Sequence, residues 1–477
     1  MAPFSTDEAR GHRVPVVAPP VATPGPADLP QVTTDAVEGF ACLVESCEDT
    51  CCRDWAVPLD KASLERLKAT MSRTPEGRER LVRLVVIGRP TQQARGAVQI
   101  QMDESGACPL LETDNRCGVH ATYGEEALST ACSVFPRTAL AVDGQLEVGA
   151  SLGCPEISRK VLLSERPHLL RPANKPMLAR AYVGKTIGGD PACAYTRHFP
   201  QVRALLQRLF RRGEFPLATR LVAAANFADG IQDFFFAGTE AFAGAKEPFA
   251  ARRLEAEIAA AEQPGGLQAL DRDLAAFDPS AGQAIAGLTG TLLLERLRLP
   301  HSPRFATLLK ACFASIQTEA HAQNPAGAHA GANDMAVDVD AGLTPAQTWQ
   351  VLRRRAHLLE QRLGARSALV FGNYCDHFLM RHPYTDAETV LGYLHRLGLH
   401  LAAVRFLTLA SPALARCLDR AAAPDDQALF DATAVHAVQT FTKAIAHHVD
   451  FLDVSFKAVA SGPGLGFGRL VMLAKFI

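Results

Sequence analysis

The sequence predicts an α+β chain, with a small cysteine-rich N-terminal region of short strands followed by a mainly α-helical C-terminal domain. Three observations predict this. Eight of the 12 cysteines fall between Cys42 and Cys154. The stretch TALAVDGQLEVGAS from Thr138 alternates apolar residues on both sides of Asp143-Gly144, the pattern of a two-residue hairpin turn. From about residue 200 onward, apolar residues recur at helical spacing.

Residues 1–35 are dense in proline, as in VPVVAPPVATPGPADLP. Proline fixes φ and removes backbone donors, so a disordered or extended tail is expected. Residues 36–160 form the expected cysteine-rich metal or iron–sulfur domain. Within it, DKASLERLKATM reads as a helix capped by Asp60, and AVQIQM from Ala97 reads as a strand. Residues 161–199 are expected to be a linker. Residues 200–477 are expected to be mainly helical, through ALLQRLFRR, LATRLVAAANFADGIQDFFF, GLTGTLLLERLRL and RFATLLKACFASI. A Gly-, Ala- and Asn-rich break over 324–343 reads as a flexible loop. The next helix has a clear start, with Thr344 as cap, Pro345 as first helical residue and Gln347 completing a capping box. Further helices follow in LVFGNYCDHFLM, ETVLGYLHRLGLHLAAVRFLTLA and ATAVHAVQTFTKAIAHHVDFL. His447 and His448 read as surface or core residues of the last of these, and GPGLGFG from Gly462 as a loop. No internal repeat is evident.

Lys plus Arg is 49 and Asp plus Glu is 50, so the net charge is -1. That balance argues against broad nucleic-acid binding, which needs a basic field. No run of about 18 apolar residues occurs, so no transmembrane helix and no membrane partner are expected. The opening MAPFSTDEARGHR lacks the apolar stretch of a secretory signal, which leads us to expect a cytosolic protein with reduced thiols.

The cysteines form two groups. CLVESCEDTCC carries Cys42, Cys47, Cys51 and Cys52. CPLLETDNRC, STACSVFPR and SLGCPE carry Cys108, Cys117, Cys132 and Cys154. In a reducing compartment this density points to metal or redox chemistry rather than to structural disulfides. Thiolates suit zinc or an iron–sulfur cluster. Eight buried free thiols, redox disulfides and two separate sites are the other readings. Cys51 and Cys52 would point to opposite faces of a strand, so a tight turn, or ligands facing two ways, is required there. With Asp143-Gly144 as the turn, Val142 faces Gln145, and a ladder continued past the strand ends would set Cys132 near Cys154. Cys193, Cys312, Cys375 and Cys417 are scattered and read as small core hydrophobes. Cys47 and Cys51 match the first gap of CxxxCxxC, but Asp54 stands at its third position. No glycine-rich dinucleotide turn, P-loop, GxSxG or HExxH is present.

FACLVESCEDTCCRDWAVPLD, CPLLETDNRCGVHATYGEEALSTACSVFPR and LGCPEISRKVLL resemble the successive motifs of the flagellin lysine N-methylases. They are also similar to a broader group of zinc- or iron-chelating domains with a CxxCxxCC signature. The first group here is wider, C-x4-C-x3-CC, and closer to the methylase form. VFGNYCDHFLMRHPY, with Asn373, Tyr374 and Pro383, resembles that family's helical stretch around an Asn-Tyr pair, so the resemblance spans roughly residues 38–456. It implies methyl transfer from S-adenosylmethionine to lysines of flagellin, and a [4Fe-4S] cluster on cysteines, with zinc as the alternative. Cys42, Cys47, Cys51, Cys52, Cys108, Cys117, Cys132 and Cys154 all match motif positions and are the expected metal ligands. Catalytic and cofactor-binding residues stay unassigned.

Methyl transfer to an amine needs a neutral lysine nitrogen aligned with the donor methyl. Motif residues that could serve are Trp55, Tyr123, Arg137, Asn373 and Tyr374. The plainer reading makes Trp55 a core anchor, pairs Arg137 with a carboxylate or carbonyl, and gives the other three packing or capping roles. Two other functions compete: a non-catalytic zinc- or iron-binding module, and a thiol redox adaptor.

Overall fold

The computed structural model describes residues 29–54, 57–87, 98–166, 168–188, 194–236, 247–277, 280–298, 302–323, 343–446 and 466–476. Its strands are β1 (Gln31–Thr33), β2 (Val57–Leu59), β3 (Val85–Ile87), β4 (Val98–Ile100), β5 (Arg137–Val142), β6 (Gln145–Ala150), β7 (Arg171–Pro172) and β8 (Lys185–Ile187). The N-terminal helices are α1 (Asp35–Glu38), α2 (Lys61–Met71), α3 (Pro75–Leu84), α4 (Gly118–Tyr123), α5 (Thr130–Val134) and α6 (Pro155–Leu162). They are followed by α7 (Ala194–Arg197), α8 (Phe199–Phe210), α9 (Leu217–Phe236), α10 (Glu247–Ala261), α11 (Pro264–Ala276) and α12 (Ala281–Leu297). The chain closes with α13 (Pro303–Gln323), α14 (Pro345–Arg381), α15 (Val390–Ala410), α16 (Pro412–Asp419), α17 (Asp426–Phe441) and α18 (Gly466–Phe476). The α+β class is therefore the observed one.

Local signals appear where the residues place them. The hairpin pairs Val142 with Gln145 and runs to Arg137–Ala150. Asp143 and Gly144 both take positive φ, 46° and 79°, as a turn matched to strand twist demands. Asp60 caps α2 by accepting the Ser63 N–H at 2.7 Å. Thr344 and Gln347 form the reciprocal capping box of α14.

The hairpin is the centre of a larger sheet, ordered β7-β1-β6-β5-β8 among the described residues. β1 lies parallel to β6, β7 antiparallel to β1, and β8 parallel to β5. Two expectations are corrected here. The proline-rich tail was expected to run to residue 35, yet Gln31–Thr33 form a strand, because the β6 edge offers partners for their backbone groups. Residues 161–199, expected to be a linker, supply β7, β8 and α7. The expected boundary near residue 160 accordingly separates no cores. One apolar cluster runs from Val37 through the sheet and α6 to Phe476. The glycine-rich C-terminal stretch is also corrected in part, since α18 begins at Gly466. Residues 1–28, Trp55, Cys193, the 324–342 stretch, His447 and His448 lie outside the described residues.

A second, smaller core packs β2-β4-β3 with α2, α4 and α5, through Val57, Leu67, Met71, Ile100, Leu110 and Val119. α15 is the hub of the helical part and packs on α9, α12, α14, α17 and α18. Its residues are buried on nearly every face, which explains an apolar composition all round. Among the described residues no single helix is long and apolar enough to cross a membrane; α15 and α16 pass that test only as a pair bent by 60°. Cys312, Cys375 and Cys417 are buried as expected.

Candidate metal centre

The cysteine loop between α1 and β2 carries Cys42, Cys47, Cys51 and Cys52. Backbone pairing fixes which later cysteines it meets. The Cys108 N–H donates to the Cys52 carbonyl at 2.8 Å, and the Asp54 N–H donates to that of Gly106 at 2.8 Å. Gly106 sits at φ +77°, and a Cβ there would lie 2.6 Å from Asp54 Oδ1, so both conformation and space require glycine. The segment from Leu111 to Cys117 then folds back on itself, with an isolated bridge between those two residues. Cys117 lands at the N-cap of α4. Ser129 caps α5 and accepts the Cys132 N–H at 3.1 Å, which holds Cys132 in the first turn. Cys52, Cys108, Cys117 and Cys132 all pack into the smaller core.

The thiols are electrostatically coupled. The Cys52 thiol lies within hydrogen-bond reach of both Cys117 and Cys51, and these contacts with its burial push its pKa far up, so that it keeps its proton. That bond is the main reason the Cys117 pKa falls to about 6, opposed by burial and assisted by the His120 and Val119 N–H groups of α4. Cys51 is lowered for the same reason, with help from the Lys443 ammonium. Burial raises Cys108 to about 11 and Cys132 to about 12. Each of these two thiols feels Cys51 and Cys117 as negative neighbours.

Cys154 goes elsewhere. The hairpin was expected to set Cys132 beside Cys154, but the ladder stops at Arg137–Ala150 and α5 takes up residues 130–134. Cys154 instead caps α6, where burial raises it to about 12 and its nearest thiol influences are Cys47 and Cys51. Cys47 in turn feels Cys42 and donates to the Asp49 carbonyl at 3.3 Å. Cys51 links the expected ligands, acting on Cys108 and Cys132 on one side and on Cys154 on the other, while Cys42 and Cys47 neighbour each other. Among the described residues no three Cys, His, Asp or Glu side chains stand close enough to hold a metal ion. The chemistry of Cys51, Cys52, Cys108, Cys117 and Cys132 nevertheless fits a soft metal, since two of these thiols are biased toward thiolate.

A buried polar node ties this loop to the helical part. Asp49 is buried and accepts from Lys443 Nζ at 3.0 Å on both oxygens and from Gln439 Nε2 at 2.5 Å. Lys443 also donates to the Thr50 carbonyl at 2.9 Å, and Gln439 to the Gly153 carbonyl at 3.1 Å. Gln439 ends α17, and Lys443 lies in a single π turn, Thr442–Ala446, that follows it. Such turns are frequent at functional sites. Sequence reasoning missed Asp49, Gln439 and Lys443. The one signal was the acidic run ESCEDT beside the cysteines.

Two clefts flank the node. One, of about 250 Å³, is lined by Cys47, Asp49, Arg53, Asp54 and Arg304 among others. The second, of about 420 Å³, lies between α6, α13 and α17 and is lined by Pro155, Arg159, Asp431, Val435, His436 and Gln439 among others. Glu48 and Arg304 border both, and the Arg304 guanidinium donates to the Glu48 carbonyl.

The other motif residues do not converge on the thiols. Tyr123 packs on the smaller core. Arg137 sits 5.5 Å over the Phe40 ring rather than on a carboxylate. Asn373 donates to the Leu162 and Ser164 carbonyls at 3.0 and 2.7 Å, satisfying the C-terminal end of α6. Tyr374 lies within the main core, 3.4 Å from His400 Nδ1, and lines a small cavity with His377, Arg381 and His382.

No family model matches the chain, and no solved structure does. Over 126 residues it is 30% identical to the flagellar biosynthetic protein FliU of Salmonella muenchen, a match covering 26% of this chain and 73% of that protein. The lysine-N-methylases of Salmonella typhimurium and Salmonella choleraesuis match at 30% over the same length, 26% of this chain but only 31% of theirs. With FliU matched over nearly three quarters of its length, the chain belongs to the family of that flagellar biosynthetic protein and is a distant relative of the lysine-N-methylases.

Proposed function

We propose that the chain is an S-adenosylmethionine-dependent protein-lysine N-methyltransferase acting on flagellin, with a cysteine-bound [4Fe-4S] cluster, or zinc in its place. The methyltransferase half of this reading is supported by the names of the two lysine-N-methylases, and the flagellar substrate by that of FliU. The metal half is carried by one observation: backbone pairing and helix caps bring Cys52, Cys108, Cys117 and Cys132, from three separate segments, into the smaller core beside the loop that Asp49 and Lys443 fasten to the helical part. Cys51, Cys52, Cys108, Cys117 and Cys132 supply the ligands. Cys42, Cys47 and Cys154 are the remaining thiols, of which Cys47 lines the smaller cleft. When bound, a cluster supplies electron transfer or a Lewis-acidic anchor, and zinc only the latter. The chain's own residues orient the thiols, through the α4 and α5 caps, and bury Cys108 while leaving Cys51 exposed.

A second reading, a thiol redox adaptor, draws on the hydrogen-bonded succession Cys51, Cys52, Cys117. The non-catalytic metal-binding module is the third. Protein purified without oxygen separates them. About four iron and four sulfide per chain, lost in Cys117→Ala, together with methylation of flagellin by adenosylmethionine, is the expected result. Zinc alone would remove the cluster, metal without methylation would leave the binding module, and reversible disulfides without metal would leave the adaptor.

A further inference from the structure

The cleft of about 420 Å³ falls in the range of ligand sites, about 300–1,000 Å³. Its charged residues are mostly matched. Glu48 pairs with Arg159, and Asp431 is held by Nε and Nη2 of Arg366 at 2.7–2.8 Å. Gln439 is spent on Asp49 and Gly153. His436, on α17, differs from these: among the described residues its imidazole has no hydrogen-bond partner, although it lines the cleft and is half-buried. Beside it, the Arg304 guanidinium on α13 has a buried Nε that is also without a partner. We propose that this cleft receives the target lysine side chain and that His436 accepts the proton from its ammonium group. The inference rests on the methyltransferase reading above.

The charges support that role. Burial first, and then Arg304, pull the His436 pKa below the usual imidazole value, against the opposing pull of Asp49 and Glu48. His436 is therefore a free base at neutral pH. The charged groups facing it are Arg304 from α13, Arg159 from α6, Glu48 and Asp49 from the cysteine loop, and Asp431 from its own helix. Arg304 disfavours a cation beside it, on the amine as on the imidazole, while Glu48, Asp49 and Asp431 accommodate the one proton that passes between them. The ammonium gives one proton to the imidazole. The freed nitrogen lone pair then forms the N–C bond as the S–C bond of the sulfonium donor breaks, with its electrons staying on sulfur. The imidazolium releases its proton to water.

Carbethoxylation of His436 by diethyl pyrocarbonate, read by mass spectrometry without any methyl donor, tests occupancy. A lysine-containing flagellin peptide should protect His436, and the same peptide with acetylated lysines should not. Methylation of the peptide by the purified holoprotein tests chemistry. His436→Gln should lose about 10²-fold in kcat at neutral pH, with KM for the peptide within about threefold and the loss shrinking as pH rises. Thermal midpoint and metal content equal to wild type show that the variant is folded. Absent protection, or an unchanged pH profile in His436→Gln, overturns the proposal. Protection by the lysine peptide alone, with a wild type that methylates nothing, keeps the amine site and sinks the methyltransferase reading instead.

Discussion

Asp49 is a carboxylate 6% exposed whose close cation arrives from residue 443. A buried pair of this kind is worth less than its parts suggest, because both ions lose water, but removing one partner strands the other. Lys443→Met should therefore destabilise the protein by about 3 kcal/mol, Asp49→Asn by a similar amount, and the double variant by clearly less than the sum. Urea unfolding of the three variants measures this, and strictly additive losses would refute the coupling. The cysteines themselves were legible, since their density is a local property of the sequence. Asp49 was not, because what makes it important is a lysine 394 residues away. Asn373 and Tyr374 take the plainer of the two roles their residue types offered, holding the end of α6 and filling the main core.

Elements whose logic is local were readable. The Asp143-Gly144 turn, the Thr344 capping box and the Asp60 cap depend on residues within a few positions of one another. Asp60→Ala should cost about 1 kcal/mol, seen as a lower thermal midpoint. The strands β1, β7 and β8 were not readable, because two or three residues carry no period and their partners lie far along the chain. The α14–α15 contact adds a pH dependence. Burial lowers His377 and His400 to about 3, from an ordinary value near 6.5. The folded state thus binds fewer protons than the unfolded chain between those values. Stability is full above pH 6.5 and falls as pH drops toward 3, by about 1.4 kcal/mol per pH unit per histidine. Unfolding midpoints from pH 8 to 5 should show this slope, and His400→Phe should flatten it. A slope unaltered by that variant would assign the effect to other groups.

At the scale of the molecule, the two cores are unequal. The smaller one, around Val57, Leu67 and Ile100, is where the cysteines of the proposed centre pack. Ligand bound to the native state alone adds stability by mass action. Removing the metal with a chelator should therefore speed amide hydrogen exchange in β2, β4, α4 and α5 while leaving α9, α15 and α18 protected. Equal loss of protection in all of them would mean that the two cores open as one unit.

The π turn at Thr442–Ala446 carries the lysine by which the helical part holds the cysteine loop. Each helical residue advances the side chain by about 100° around the axis. Deleting one residue between Gln439 and Lys443 would swing the ammonium roughly a quarter turn away from Asp49 while leaving the α17 side chains where they are. The spacing thus acts as a phase setting: Gln439 and Lys443, four positions apart, share one face and reach a single carboxylate. Lineages that lose or gain a residue there would have to rebuild the grip on the loop from some other direction.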